Sequence, residues 1–128
     1  MLTSEWGLYP WFDEDGLELI EPRHREKFRV LLPYGKVFLC VGEQGEYMVL
    51  QYNNEIYLVK PILFKRVSPP KFTFSEPVRL RIKPGVLGNI CEINWHYKAE
   101  REMYYIEING KKKTSRYSSE ELIKVDEE

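Results

Sequence analysis

Apolar positions in the first part of the chain predict one short helix. Phe28, Leu31 and Leu32 follow the i, i+3, i+4 spacing of a helix face. Pro22 suits the first turn of that helix, because it has no N–H to leave unpaired, and the phrase PYG ends it. The sequence therefore predicts a helix near residues 22–32, with these three apolar side chains facing the core.

From residue 36 to residue 67 the apolar runs shorten to the length of strands. The runs are KVFLCV, EYMVLQY and EIYLVKPILFKRV, and the gaps between them contain Gly or Asn, which suits hairpins. KVFLCV is apolar on both alternating faces, which is typical of a central strand. We expect it to be covered by the helix or by the N-terminal segment WGLYPWFDEDG, which Pro10 and Gly16 make irregular.

The second half of the chain alternates more strictly. In VRLRIK we expect Val78, Leu80 and Ile82 to face inward and the three basic residues that alternate with them to face outward. The runs GNICEINWH, MYYIEI, KKTSRY and IKV follow, and an Asn-Gly pair marks a hairpin turn. Ser118 and Glu121 have the spacing of a capping box. The pattern predicts five short strands, with one helical turn before the last.

Ser68, Pro69 and Pro70 predict a linker, because proline cannot donate to a strand ladder and stiffens the chain. We expect residues 1–70 to contain the N-terminal aromatic segment, the short helix and an antiparallel β-meander. Residues 71–128 are expected to form a small β-barrel with an acidic tail. The predicted fold class is mainly β.

Three phrases of the second half, PGVLGNICEI, MYYIEINGKK and RYSSEELIKV, carry a resemblance over about residues 76–126. Their order of elements resembles an SH3-like small barrel, of the kind seen in Tudor-type and KOW-type modules. Gly88, Ile90 and Ile93 suit the second strand of such a barrel, where a bulge turns both isoleucines inward. The resemblance implies an SH3-like five-stranded small barrel, a fold that hosts unrelated functions.

Other phrases, namely WGLYPWF, PYGKVF, VKPILF, INWHYK and NGKKKTSRY, are spread over nearly the full chain. They are similar to those of a family of small, uncharacterised bacterial proteins. This resemblance implies a bacterial cytoplasmic setting and adds no site residue.

Charge is unevenly distributed along the chain, whose net charge is −1. Residues 1–60 carry six basic and ten acidic residues, residues 78–117 carry nine and four, and residues 118–128 carry one and five. A basic block therefore lies between an acidic front and an acidic tail. It is either a solvated face or a surface for an acidic partner.

The sequence contains no pattern typical of catalysis or metal binding. Its two histidines, His24 and His96, lie in neither HxH nor HExxH spacing. No serine stands in GxSxG, and GVLGNI lacks the Lys and Ser/Thr of a phosphate loop. Cys40 and Cys91 each lie in an apolar run, so we expect buried, unpaired thiols. We predict a protein that is not an enzyme and uses no metal and no cofactor.

Targeting signals are also missing from the sequence pattern. The N-terminus has no basic leader followed by an apolar run, and no stretch approaches the roughly 18 apolar residues of a membrane span. We therefore expect a cytoplasmic protein with no membrane partner.

Surface residues remain as candidates for function. Trp6 and Trp11 belong to a residue type that dominates interface energies, and exposed together they would form an unusually large apolar patch. We expect Trp11 to pack in the core and Trp6 to be partly exposed, with an interface as the alternative. Basic side chains interleaved with rings can bind phosphates; the candidates are Arg79, Arg81, His96, Lys112 and Arg116.

The sequence favours a non-catalytic protein-interaction module with a protein partner, for example an accessory or immunity-type protein. The alternative is a nucleic-acid-binding small barrel that uses the basic face of residues 78–117. The sequence pI near 6.2 argues against the alternative, since nucleic-acid-binding domains usually have a pI above about 9.

Overall fold

Strands dominate the structure, which is a computed structural model that describes residues 4–125. It contains one short α-helix and two antiparallel five-stranded sheets, which confirms the predicted mainly β class. The chain divides between Pro69 and Pro70 into two compact units, and each unit contains one of the sheets. The end of the predicted acidic tail, residues 126–128, lies outside the described residues.

The first unit is built on a sheet whose strand order is β4-β3-β2-β1-β5. Its strands are β1 (Glu5–Leu8), β2 (Val37–Gln44), β3 (Tyr47–Tyr52), β4 (Glu55–Val59) and β5 (Lys65–Arg66). The run KVFLCV forms the start of β2, which is the central strand as predicted. Tight hairpins join β2 to β3 and β3 to β4, because Gly45 and Asn53 adopt the positive φ angles that such turns require.

Strand β1 corrects the prediction that the N-terminal segment is irregular. It pairs antiparallel with β2 from Glu5 opposite Cys40 to Leu8 opposite Val37. The prediction was wrong because Pro10 lies beyond the end of the strand and does not interrupt it. Gly7 is required in this strand, since an added Cβ would lie 2.4 Å from the Phe64 ring.

The predicted helix forms, with an earlier end than expected. Helix α1 spans Arg25–Leu31 and follows a 3₁₀ turn at Pro22–His24. Phe28 is buried and Leu31 is half-buried, whereas Leu32 is 70% exposed. The inward position predicted for Leu32 is therefore wrong, because the helix ends one residue earlier and the backbone of Leu32 turns into the left-handed region.

The core of the first unit is a cluster of aromatic rings around α1. Phe28 lies 5.8 Å from Tyr9, 5.8 Å from Trp11 and 5.7 Å from Phe38, measured between ring centroids. The buried polar atoms are also paired: the Tyr9 hydroxyl donates to the carbonyl of Lys60, and the Trp11 indole N–H donates to that of Gly16. The rings hold α1 and the segment after β1 against the central strand.

The chain before α1 also covers the outer edge of β4. The N–H of Glu21 donates to the carbonyl of Leu58 at 3.0 Å, and the N–H of Lys60 donates to that of Leu19 at 2.8 Å. Nδ1 of His24 accepts the N–H of Leu58 at 2.8 Å. An imidazole thus takes the position that a carbonyl of a neighbouring strand would occupy.

The second unit is built on a sheet whose strand order is β10-β6-β7-β8-β9. Its strands are β6 (Pro77–Leu80), β7 (Leu87–His96), β8 (Arg101–Ile108), β9 (Lys111–Lys112) and β10 (Leu122–Lys124). A 3₁₀ turn at Ser119–Glu121 precedes β10 and carries the predicted capping box between Ser118 and Glu121. The pairing of β7 with β8 shifts between Ile90 and Glu92, and this bulge buries both Ile90 and Ile93, as predicted.

The Tyr104 hydroxyl connects the start of the second unit to its core through hydrogen bonds. The Tyr104 hydroxyl accepts the N–H groups of Lys71 and Phe72 and donates to the carboxylate of Glu102. Burial raises the pKa of this hydroxyl, so that it keeps its proton and makes all three bonds.

Two inward positions predicted for the second unit are wrong. Ile82 is 85% exposed, because β6 ends at Leu80 and the N–H of Lys83 bonds back to the carbonyl of Leu80 in a turn. Cys91 is half-buried instead of buried, because it is the extra residue of the β7 bulge. Burial raises its pKa to about 11.

Cys40, by contrast, is buried in β2 as predicted. Both cysteines lie within residues 4–125, and no disulfide forms there.

Candidate interaction surface

The predicted binding residues of the N-terminal segment take different positions. Trp6 lies on β1 and is half-buried, whereas Trp11 is only 2% exposed and belongs to the aromatic core. These positions agree with the partly exposed Trp6 and the core Trp11 that we expected.

Three of the predicted basic residues of the second unit form hydrogen bonds with backbone groups. A guanidinium nitrogen of Arg79 donates to the carbonyl of Pro84, and Nε of Arg81 donates to that of Glu120. Nδ1 of His96 accepts the N–H of the residue three positions on, which closes the turn after β7. Arg116 is exposed in the segment between β9 and the last 3₁₀ turn.

Lys112 pairs with an acidic side chain of β7. Its ammonium group pairs with the carboxylate of Glu92 and lies 4.7 Å from the centroid of the Tyr105 ring. The hydrogen bond with Glu92 raises the pKa of Lys112. The strand register places Lys112 opposite Glu107 as well. Acidic and basic groups therefore alternate on this part of the sheet.

A different exposed surface lies on the first unit, around the end of α1. Four large apolar side chains of this region are at least 46% exposed. We call them the α1 surface: Phe12, Val30, Leu32 and Tyr34. The rings of Phe12 and Tyr34 stack on each other, with 5.0 Å between their centroids.

One part of the α1 surface is concave and has room for a side chain. A cleft of about 100 Å³ lies there, which is smaller than the cavity of about 150 Å³ that holds benzene in an engineered protein core. We call it the Leu32 cleft, and it is lined by Trp11, Phe12, Asp13, Arg29, Leu32, Pro33 and Tyr34. A second apolar depression lies on the same helix and is lined by Glu26, Lys27, Val30, Leu31 and Tyr57.

The backbone of Leu32 is strained. Leu32 caps α1 at φ 60° and ψ 69°, in the left-handed region, and its N–H donates to the carbonyl of Arg29. For residues with a Cβ this conformation costs roughly 1–2 kcal/mol, and glycine is the usual residue at the left-handed position that ends a helix. The exposed Leu32 side chain gains little burial in return.

The two charged groups that line the Leu32 cleft pair with each other, and α1 contributes two further ion pairs. Arg29 bonds to the carboxylates of Asp13, at 3.2 Å, and of Glu26, at 2.6 Å, and Lys27 pairs with Glu55. The hydrogen bond with Asp13 raises the pKa of Arg29, and that with Glu55 raises the pKa of Lys27. The Leu32 cleft is therefore apolar and locally neutral.

The sequence contains one signal for this surface that the helix periodicity conceals. Leu32 precedes Pro33, and the residue before a proline is disfavoured in the right-handed helical region. Leu32 therefore leaves the helix, and its side chain leaves the predicted buried face.

Residues 4–125 contain no group of three or more His, Cys, Asp or Glu side chains that could hold a metal ion. No helix within the same residues is long and apolar enough to cross a membrane.

Comparison with known proteins identifies the family. A family model described as a family of unknown function, DUF6960, matches residues 1–123. The chain belongs to this family. No curated protein and no solved structure is significantly similar to it.

The DUF6960 match spans both units, so it includes the α1 surface and the predicted basic face alike. Its description assigns no activity. The geometry of the two surfaces therefore distinguishes the candidate functions of this DUF6960 chain.

Proposed function

We propose that the chain is a non-catalytic protein-interaction module, and that it docks a protein partner through the α1 surface. The observation that carries this proposal is the conformation of Leu32. A left-handed leucine costs conformational energy, and 70% exposure of its side chain leaves that cost uncompensated within the chain. Burial of Leu32 against a partner supplies the compensation.

The chemistry of the neighbouring side chains supports the same role. Aromatic residues are enriched among the side chains that dominate protein–protein interfaces. Phe12 and Tyr34 are 51% and 46% exposed, and their stacked rings restrict each other before any partner binds. Little side-chain entropy is then lost on association.

We also propose that the second unit is an SH3-like small barrel. Three features support this assignment: a five-stranded antiparallel sheet, a 3₁₀ turn immediately before its last strand, and a bulged second strand that buries Ile90 and Ile93. The bacterial cytoplasm and an accessory or immunity-type role belong to the same proposal. The thiols of Cys40 and Cys91, each held within a strand, suit a reducing compartment.

The alternative, a nucleic-acid surface on residues 78–117, has weaker support. The Lys112 ammonium group already faces the carboxylate of Glu92. Arg101, on the neighbouring strand, pairs with Glu120. Bringing a phosphate to either group requires replacing an existing partner, which reduces the gain from counterion release.

Replacing Leu32 distinguishes an effect on partner binding from an effect on the free energy of unfolding. Leu32→Gly should leave the free energy of unfolding unchanged or raise it by up to about 1 kcal/mol, because relief of backbone strain is partly offset by the flexibility of glycine in the unfolded state. The same variant should lose the partner that the wild-type chain retains from an extract of its native cells. Denaturant melts and quantitative mass spectrometry of the retained proteins measure the two effects.

Ile62→Ala is the matched control for this experiment. Ile62 is 76% exposed and belongs to the first unit, but it does not line the Leu32 cleft. Its replacement should leave the retained partner unchanged. Retention of the same proteins by Leu32→Gly and by the wild-type chain would falsify the proposed docking surface.

A further inference from the structure

We infer that the partner segment is amphipathic and basic: an aliphatic or aromatic side chain of the partner enters the Leu32 cleft, and neighbouring Lys or Arg side chains face the carboxylates of residues 13–18. This inference rests on the proposed function and names the chemistry of the occupant.

The sequence places an excess of negative charge directly beside the cleft. Residues 12–21 contain five acidic residues and no basic residue. Asp13 is paired with Arg29, and Glu21 is paired with Arg23. The carboxylates that remain are those of Glu14, Asp15 and Glu18. All three residues are exposed, and none forms a salt bridge within the described part of the chain.

One of these carboxylates, that of Asp15, occupies a defined position next to Phe12. A 3₁₀ turn at Asp13–Asp15 begins immediately after Phe12, and a second one spans Leu17–Leu19. The carboxylate of Asp15 accepts the N–H of Phe12 at 2.8 Å, which ties the first turn to the wall of the cleft. A ligand that contacts the Phe12 ring therefore lies beside this negative charge.

The interior of the cleft selects an uncharged side chain. Arg29 and Asp13 at its rim neutralise each other, so a charged group that entered the cleft would find no free counterion and would lose hydration. The remaining lining is apolar, and a volume of about 100 Å³ accommodates part of a single side chain. Positive charge on the partner is therefore expected beside the cleft and not within it.

The same charges argue against a second copy of this chain as the occupant. A twofold contact brings identical patches together, so the α1 surfaces of two copies would bring their two acidic turns close to each other. Like charges held together across an interface oppose association. The favoured partner is a different molecule with the opposite charge.

A displayed library of random 12-residue peptides provides a defined probe. The full-length wild-type chain and the Leu32→Gly variant are immobilised in parallel, and peptides are selected on each. We expect peptides enriched only on the wild-type chain to combine a large apolar residue with at least two Lys or Arg and no acidic residue. Binding of a synthetic copy of one such peptide is then measured by fluorescence anisotropy at 50 and 500 mM salt.

Charge substitutions on the chain complete the test. Glu14→Gln together with Glu18→Gln should weaken binding of the synthetic peptide about three- to tenfold at the lower salt concentration, and should abolish most of its salt dependence. Glu43→Gln together with Glu46→Gln is the control, since it removes two exposed charges of the same unit from the β2–β3 hairpin. It should leave the affinity unchanged.

The possible results separate the two proposals. Leu32-dependent peptides that are acidic or uncharged would overturn the basic partner and leave the docking surface intact. Equal enrichment on the wild-type chain and on Leu32→Gly would overturn both proposals. Failure of the library to enrich any peptide over the bare support would also overturn the inference, because the cleft would then not be a site for short segments.

Discussion

At the scale of single residues, neighbours in the sequence have opposite environments. Trp11 is buried among Tyr9 and Phe28, and its indole N–H is bonded to the carbonyl of Gly16, whereas Phe12 is 51% exposed. The segment WGLYPWF therefore serves two purposes. Its inner rings stabilise the first unit, and its last ring forms a wall of the Leu32 cleft.

Trp11→Ala should lower the free energy of unfolding by about 3–5 kcal/mol, the usual cost of emptying the site of a buried tryptophan. Phe12→Ala is the matched neighbour and should change it by less than about 0.5 kcal/mol, as expected for an exposed site. Urea melts followed by circular dichroism measure both values. Similar small losses for the two variants would contradict the core position of Trp11.

At the scale of elements, the sequence predicts strands and tight turns better than the ends of elements. Alternation and Asn-Gly or Gly turn signals were sufficient for β2, β3, β4 and most of the second sheet, because those signals are local. Strand β1 was missed because its pairing with β2 joins positions that are far apart in the sequence, from Glu5 opposite Cys40 to Leu8 opposite Val37. The helix end was misplaced because periodicity carries no information on the αL turn at Leu32.

The candidate site was harder to predict than the fold. The sequence singled out Trp11 as a candidate binding residue because large aromatic side chains are typical of interfaces. The structure places Trp11 in the core. Leu32 and Tyr34 were overlooked, since exposure depends on where α1 ends and not on residue type alone. Phe12 is exposed and immediately precedes a 3₁₀ turn, a position that the sequence pattern did not indicate.

The start of α1 gives a prediction on pH dependence. The side-chain hydrogen bond with Arg23 holds the pKa of Glu21 below its usual value of 4.5, and the carboxylate also accepts the N–H of Arg23 at the 3₁₀ turn. A lowered pKa in the folded state means that Glu21 stabilises the fold at pH values above its unfolded pKa. This stabilisation is lost as the pH falls through the folded pKa.

Glu21→Gln should therefore reduce the melting temperature at pH 7 and flatten its decrease between about pH 5 and pH 3. Glu14→Gln is the control, because Glu14 is exposed and lies outside the salt bridges found among the described residues. Melting curves by differential scanning fluorimetry across this pH range provide the measurement. Parallel pH profiles for wild type and Glu21→Gln would contradict the assignment.

At the scale of the whole molecule, charge is separated along the sequence but balanced within each unit. Residues 1–69 carry eight basic and ten acidic residues, and residues 70–128 carry eleven and ten. The basic block of residues 78–117 is thus followed closely by acidic residues, one of which, Glu120, pairs with Arg101. A nearly neutral unit has little long-range attraction for a polyanion.

We accordingly expect no retardation of a 30-nucleotide single-stranded DNA or RNA in gel shifts at about 150 mM salt, where phosphate contacts are already weakened. Glu92→Gln frees Lys112 and should increase any binding seen at low salt. Retardation at 150 mM salt that disappears in the combined Arg79→Ala, Arg81→Ala, Lys112→Ala and Arg116→Ala variant would favour the nucleic-acid function instead.

The covered edge of β4 has a consequence for aggregation. Open strand edges recruit strands from other molecules, and the apolar runs of β3 and β4 are of the type that forms amyloid-like stacks. The main chain of Leu19 and Glu21 and the imidazole of His24 occupy the hydrogen-bonding groups of Leu58 and Lys60. No strand from another molecule can pair with these groups while the segment before α1 stays in place, so this segment protects that part of the edge against the addition of a strand.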